Sequence, residues 1–445
     1  MSWLLNGVYL LLLILFLPIL GYRAIRYQKY RKNFGTRFWG IAPKLPEKKP
    51  GGVRLWFQAV SVGEVNLLKP IFWQIANLHP DWELVISSTS KTGLELAKRT
   101  FPDHVVFPCP LDFHWAVRRA MRRIQPDLLV LAELELWPNL IAAAKKSGAR
   151  VAIVNGRISD KSFPKYRRIR PLLRRVFRSV ELVAAQDAES AARFLAVGAA
   201  DDSLKITGSI KFDGVATDRN NPKTTALAAL AGIVPDDLVF LAGSTQEPEE
   251  ALAVETFRTL APDFPRLRLI VVPRHPERFD AVAGMLDASG LSWTRRSTLN
   301  GEPPKERILL VDTVGELGAW WGTAHIAFVG GSMGSRGGQN VLEPAGYGAA
   351  VSFGPNTKNF RDITAMMLRA NAAVVVADGN ELTAFVRRAL SEPLFAERLG
   401  QNAQNLVLAQ CGATRVTVSY LAALLRNESF KDSFFYANGE NTTAR

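Results

Sequence analysis

Short apolar runs rich in Val, Ile and Leu alternate with stretches of helical spacing twice along this chain, and that alternation constrains its fold more than any other feature. Residues 54–59, 84–87, 105–107, 128–132, 151–154 and 182–185 form the first set of predicted strands; 238–242, 267–272, 308–311, 326–329, 350–353 and 373–376 form the second. Near-continuous apolarity marks strands buried on both faces, and strand–helix alternation implies parallel sheets with right-handed crossovers. The predicted class is α/β, with two similar Rossmann-like halves. A polar, turn-rich stretch (D-G-V-A-T-D-R-N-N-P-K-T-T, 213–225) separates them and reads as a linker. The length of 445 residues fits two or three domains of roughly 150 residues each.

The N-terminus departs from this pattern. Trp3 to Leu20 is an uncharged run of 18 residues dominated by Leu, Ile, Val and Phe, close to what a helix needs to cross about 30 Å of hydrocarbon. No Lys or Arg precedes it and no small-x-small cleavage site follows, which favours a membrane anchor over a cleaved signal. Residues 1–46 hold seven basic residues (Arg23, Arg26, Lys29, Arg31, Lys32, Arg37, Lys44) and no acid, half of the formal net charge of +14. Cationic flanks stay cytoplasmic, so a single-pass anchor is predicted, with everything downstream on the inner face of an anionic membrane. The anchor is expected to supply location and no catalytic groups. Two cysteines, Cys109 and Cys411, lack C-x-x-C spacing, which argues against a disulfide framework or a thiolate zinc site.

Candidate chemistry sits where predicted strands end. Glu64 follows the first strand through V-S-V-G-E at 60–64, a strand-to-helix turn at which ligands of open α/β sheets bind. A carboxylate there can act as a general base, or simply cap the helix. The strand 128–132 runs into Glu133 and Glu135, which an extended segment places on one face. Eight basic residues between Lys161 and Arg178, interleaved with Phe163, Tyr166, Leu172, Leu173, Val176 and Phe177, suit an anionic membrane surface or a phosphorylated lipid. No nucleic-acid module surrounds them, and nucleic acid is not a predicted partner. In the second half, A-G-S-T at 242–245, P-R-H-P at 273–276 with Arg274, G-G-S at 330–332 and G-G-Q-N-V-L-E-P at 337–344 are strand-end and glycine-rich loops suited to phosphate, with Glu343 as an acceptor for a diol. There is no G-x-x-x-x-G-K-[ST] loop and no G-x-G-x-x-G opening the first strand–helix unit, so P-loop hydrolases and simple dehydrogenases are disfavoured.

These motifs, in order with E-L-E-L-W-P-N at 133–139, N-G-R-I-S at 155–159, G-S-I-K-F-D at 208–213 and G-E-L at 315–317, resemble the 3-deoxy-D-manno-octulosonic acid (Kdo) transferases of lipopolysaccharide assembly over nearly the whole chain. The resemblance implies a GT-B glycosyltransferase: two Rossmann-like domains facing each other across a cleft, with an N-terminal transmembrane anchor. It implies inverting transfer of Kdo from CMP-Kdo to the phosphorylated lipid A precursor, lipid IVA, at the cytoplasmic face of a bacterial inner membrane. Carried over motif by motif, Glu64 resembles the catalytic base, and Glu133 and Lys211 the transition-state-stabilising positions. Pro273, Arg274, Val314, Gly315, Glu316, Asn340 and Glu343 resemble the CMP contacts.

Positive charge for the departing CMP phosphate would come from Lys211 and Arg274. Arg167, Arg168, Arg174 and Arg175 are assigned to the acceptor and membrane. No cofactor and no metal are expected. The expected organisation is an anchor at 1–22, a basic juxtamembrane segment at 23–52, an acceptor domain at 53–213, a linker at 214–225, a CMP-Kdo domain at 226–426 and a flexible tail at 427–445. Gln58 and Gln339 stand where the family usually has His, and Gln cannot become a cation. The competing readings are a sugar-nucleotide epimerase of GT-B-like fold and a membrane-anchored, non-catalytic scaffold.

Overall fold

The structure, a computed structural model, describes residues 33–428 continuously, together with 5–7, 9–11, 13–16, 22 and 430. Arg23, Arg26, Lys29, Arg31 and Lys32 of the basic segment, and nearly all of the tail, lie outside the described residues. Two compact units divide the chain: Met1–Gly214 with Cys411–Arg445, and Val215–Gln410.

The first unit holds β1 (Arg54–Ala59), β2 (Glu83–Ser88), β3 (Val105–Pro108), β4 (Leu128–Ala132), β5 (Arg150–Gly156), β6 (Leu182–Ala185) and β7 (Leu204–Ile206). They form one parallel sheet in the order β3-β2-β1-β4-β5-β6-β7. Chain order reverses between β1 and β4, and the crevice outside the carboxyl ends at such a switch point is where doubly wound sheets bind ligands. Every residue of β1 is buried. Leu55 and Phe57 pack with Val65, Leu68, Ile71 and Phe72 of the helix Val62–Leu78, while Trp56 packs with Phe107, Val117 and Leu129 on the other face. Helices on both faces explain the uninterrupted apolar runs, each large side chain so buried contributing roughly 1.5–3 kcal/mol. At the opposite edge, fully buried Arg54 donates to Glu83 at 2.6 Å and to the carbonyls of Ile124 and Pro46 at 2.6 and 2.9 Å, so the cation is paired.

Two features of this unit differ from the sequence reading. The helix Ala413–Arg426 belongs here and not to the second domain: Val418, Leu421 and Leu424 join the core with Ile71 and Ile75. Gly412, at φ 103°, breaks the preceding helix, and Asp213 caps the new one by accepting from the amides of Gly412 at 2.5 Å and Thr414. The most apolar 18-residue window within Pro393–Arg426 has a mean hydropathy of 1.2, enough by length and composition to span a membrane, yet half of that window is buried inside the protein, as in a core helix. The second difference is at the N-terminus. Described residues between Leu5 and Phe16 are helical, and this helix docks on the first unit through polar groups. Asn6, 3% exposed, accepts from the His114 amide at 3.2 Å and from Asn139 at 3.3 Å, and the Tyr9 hydroxyl donates to Asp112 at 3.1 Å. The segment therefore contributes side chains to the unit.

The second unit holds β8 (Leu238–Thr245), β9 (Leu267–Pro273), β10 (Trp293–Arg295), β11 (Ile308–Leu310), β12 (Ile326–Val329), β13 (Ala350–Phe353) and β14 (Val374–Val375), all parallel in the order β10-β11-β9-β8-β12-β13-β14. Its switch point lies between β8 and β12. The twelve predicted strands all form. β7 and β10 were not predicted, because each is a three-residue edge strand, partly exposed and without an apolar run.

Candidate active site

The switch point of the first sheet carries three carboxylates and one lysine. Ser61 ends the β1 turn in an extended conformation and caps the helix Val62–Leu78, accepting from the Glu64 amide at 3.3 Å. Glu64 reaches back, accepting from the Val60 amide at 2.7 Å and from the Ser61 hydroxyl at 2.9 Å. It thus caps the helix, and it also lies beside the β4 carboxylates. Only 8% of Glu64 is exposed, and burial pushes its pKa up; the Val60 and Ser61 hydrogen bonds oppose this and the charge of Glu133 adds to it. A raised carboxyl is better matched to taking a proton near neutral pH than an ordinary glutamate.

Glu133 and Glu135 are not on one face of an extended strand. β4 stops at Ala132, and Glu133 adopts φ 56°, a left-handed conformation uncommon outside glycine and a site of backbone strain. The turn aims Glu133 at Lys211, 3.3 Å away, while Glu135 accepts from the Trp137 indole at 3.0 Å. Burial first, then the charge of Glu64, raises Glu135 to about 7, with Trp137 opposing and Glu133 adding. Lys211 lies in the short turn Ile210–Phe212 after β7. Asn155, which the sequence reading passed over as a site residue, holds that turn: its side-chain Oδ1 accepts from the Ile210 amide at 3.0 Å. Asn155 is itself fully buried at φ 54° at the end of β5. Asn in place of Gly at a left-handed strand end is the signal that marks it.

In the second unit the assigned donor residues follow the carboxyl ends of three strands, β9, β11 and β12. Pro273 ends β9, paired in register with Thr245, and the exposed Arg274 follows, its amide donating to Thr245 at 3.0 Å. Asn340 donates to Glu343 at 3.0 Å, and burial pushes the Glu343 carboxyl up while Arg274 nearby draws it down. Val314 and Gly315 lie on an exposed turn after β11. Glu316 is held by hydrogen bonds within the protein. It accepts from Arg296 at 2.8 and 3.0 Å, from Thr313 at 2.7 Å and from Trp320 at 3.2 Å, hydrogen bonds that outweigh burial and hold its carboxyl below the usual range.

The glycine-rich turn after β12 also differs from expectation. Glu249, buried at the start of the helix Glu249–Leu260, accepts from the amides of Gly331, Ser332 and Met333 at 2.7, 2.9 and 2.9 Å and from Gln246 at 2.9 Å. An internal carboxylate already fills the nest that the sequence assigned to phosphate. Gly330 serves packing, since a Cβ there would meet the Thr245 backbone at 2.6 Å.

The basic stretch forms two short helices, Phe163–Arg168 and Arg170–Phe177, with Leu173, Val176 and Phe177 buried and Arg167, Arg168, Arg174 and Arg175 exposed.

A family profile described as 3-Deoxy-D-manno-octulosonic-acid transferase (kdotransferase) matches residues 29–214. A 3-deoxy-D-manno-octulosonic acid transferase of Haemophilus influenzae is 33% identical over 417 residues, 92% of this chain and 96% of the relative. The Bordetella pertussis enzyme of the same name is 33% identical over 87% of this chain and 90% of the relative. The chain belongs to the Kdo transferase family. Among solved structures, the UDP-GlcNAc 2-epimerase of Neisseria meningitidis bound to UDP-GlcNAc superposes with a TM-score of 0.56 at 12% identity, over 83% of this chain and 99% of the epimerase. That likeness shows a GT-B-type fold of two parallel-sheet units and nothing of the activity. The epimerase reading thus has the fold alone, and the glycosyltransferase reading has the sequence. Of the two glutamines set against the family's pattern above, Gln58 is buried on β1, accepting from Ser87 and donating to Thr89 at 3.0 Å, and Gln339 packs on Gly331.

Proposed function

We propose that this Kdo glycosyltransferase moves Kdo from CMP-Kdo onto the phosphorylated disaccharide lipid A precursor, lipid IVA, with inversion, at the cytoplasmic face of a bacterial inner membrane. The observation that carries the reading is the placement of Glu64 and of the Glu133–Lys211 pair at the β1/β4 switch point. Glu64 takes the proton of an acceptor hydroxyl as its oxygen attacks the anomeric carbon. The bond to the CMP phosphate breaks with its electron pair leaving on the phosphate, and a single displacement inverts the centre. Lys211, fixed through Asn155 and the turn Ile210–Phe212, balances Glu133 and supplies positive charge where negative charge develops.

In the second unit Arg274 offers a fork to the CMP phosphate and Glu343 accepts from a ribose hydroxyl, with Pro273, Val314, Gly315 and Asn340 shaping the nucleotide site. Glu316, assigned with them to the CMP contacts, holds the turn Val314–Gly315 through its bond to Thr313. Lys211 and Arg274 supply the positive charge, and no metal ion has a role. Residues 1–22 anchor the chain, and Arg167, Arg168, Arg174 and Arg175 meet the anionic leaflet and the acceptor's phosphates.

Mass spectrometry of lipid extracted after incubating the full chain with CMP-Kdo and lipid IVA tests this reading. The expected product is heavier by one or more Kdo residues and forms equally well with a chelator present. Release of CMP and free Kdo with the lipid unchanged refutes the acceptor assignment, and a product lost to chelation refutes the metal-free mechanism.

A further inference from the structure

The first unit contains an apolar cavity of about 820 Å³ that no step above uses. Its walls include Tyr9 and Leu13 of the N-terminal helix, Leu136 and Trp137 after β4, and Tyr166 and Leu172 of the basic helices. The volume lies within the roughly 300–1,000 Å³ of small-molecule sites. Three features say what fits it. First, Glu135 also lines the cavity, and its carboxyl feels the charge of Glu64, so the apolar space reaches the reacting groups.

Second, the helices that turn Tyr166, Ile169, Leu172, Leu173 and Val176 to the cavity leave Arg167, Arg168, Arg170, Arg174 and Arg175 exposed, so anionic groups find cations next to an apolar interior. Third, the N-terminal helix that supplies one wall exposes Leu11, Ile14 and Leu15 at 67%, 66% and 67% on its outer side. A patch of that kind is at home in hydrocarbon. A water-soluble ligand needs no such outer face, and an uncharged lipid has no use for the cations.

We infer that this cavity takes one hydrocarbon chain of an anionic membrane amphiphile, the molecule that presents its hydroxyl to Glu64. The inference rests on the lipid-acceptor reading and adds to it: the enzyme draws a chain out of the leaflet into its own interior, and the N-terminal helix is a wall of the substrate site. Leu13 and Tyr9 are then positioning residues for the acceptor, and Trp137 both lines the chain and orients Glu135.

The test uses the full chain in zwitterionic nanodiscs and dodecyl phosphate carrying a terminal diazirine, with labelled peptides mapped by mass spectrometry. Saturable labelling of residues 134–137 and 166–173 is expected. Octyl, decyl and dodecyl phosphate should compete with affinity rising about fourfold per methylene, and inorganic phosphate should not compete. Leu172→Glu, on a partly exposed wall where the fold tolerates it, should weaken labelling by about tenfold or more, as should Leu13→Glu. Labelling confined to the outer positions Leu11 and Leu15, indifference to chain length, or labelling untouched by Leu172→Glu overturns the inference. So does labelling that falls as protein concentration rises, which would mean that a second copy fills the cavity. Because the probe is not a substrate, transfer that fails while the cavity labels refutes only the acceptor reading; transfer that proceeds without cavity labelling refutes only this one.

Discussion

Replacing Glu135 with Gln should change how stability depends on pH, and the structure fixes the sign. Burial and the charge of Glu64 raise this carboxyl from 4.5 to about 7, so the folded chain holds the proton more tightly than the unfolded one. Its contribution to stability is fully present below pH 4.5 and is lost as pH rises from there to about 7. A displacement of that size corresponds to roughly 3 kcal/mol, and partial exposure screens it to roughly 1–2 kcal/mol. Gln keeps the volume and still accepts from the Trp137 indole, but cannot ionise. Glu135→Gln should therefore unfold in urea at the parent's midpoint near pH 4.5 and be more stable than the parent by about 1–2 kcal/mol at pH 8. Glu64→Gln removes the second-largest cause of the shift, so Glu135 should then titrate lower, readable as a carboxyl resonance by NMR. A stability difference that stays constant across the pH range refutes the claim that Glu135 is a half-buried, charge-coupled acid.

Three further outcomes follow from the same geometry. Arg274→Ala should weaken CMP binding by roughly 1.5–3 kcal/mol with the KM for the acceptor little changed, and an unaltered calorimetric dissociation constant would move the nucleotide site elsewhere. Asn155→Ala leaves the Ile210 amide unpaired and the Lys211 turn unsupported, so kcat should fall with little change in the KM for CMP-Kdo, and Asn155→Asp, which keeps the acceptor oxygen, should recover most of it. Changing Arg167, Arg168, Arg174 and Arg175 together to Gln should cost about 1 kcal/mol per residue in binding to anionic vesicles, an effect that fades with added salt; salt-independent co-sedimentation would leave the stretch as a solvated helix face.

How much of this was legible follows from which residues announce themselves locally. Arg54–Ala59 and Leu128–Ala132 are buried on both faces and read as strands without help, which also pointed to the two loops of the candidate site. Lys211 and Glu133 are brought together only by the path of the chain, so spacing cannot show their contact; the resemblance to a family pointed to them, and the strained turn at Glu133 explains how they meet. Glu249 was invisible because an acid in the first turn of a helix looks like any other, and only the fold returns the glycine-rich turn to it. Asn6 and Tyr9 were absorbed into an apolar run, although a polar residue inside such a run is the local sign that part of it faces protein. The last helix misled because periodicity says that a helix forms and nothing about which core it joins; Asp213, capping it from the far side of the sequence, makes that decision.

The claim that Glu64 is the base in Kdo transfer meets its most direct test in a single comparison of full-length Glu64→Gln with the parent: single-turnover transfer from CMP-Kdo to lipid IVA, beside calorimetric binding of CMP. The substitution keeps side-chain volume and an oxygen to accept from the Val60 amide, with the carboxamide NH2 donating to the Ser61 hydroxyl in place of accepting from it, while removing the proton acceptor. Transfer should slow by on the order of a hundredfold or more, with CMP affinity unchanged. Transfer at the parent's rate would contradict the assignment and leave Glu64 as a helix cap alone.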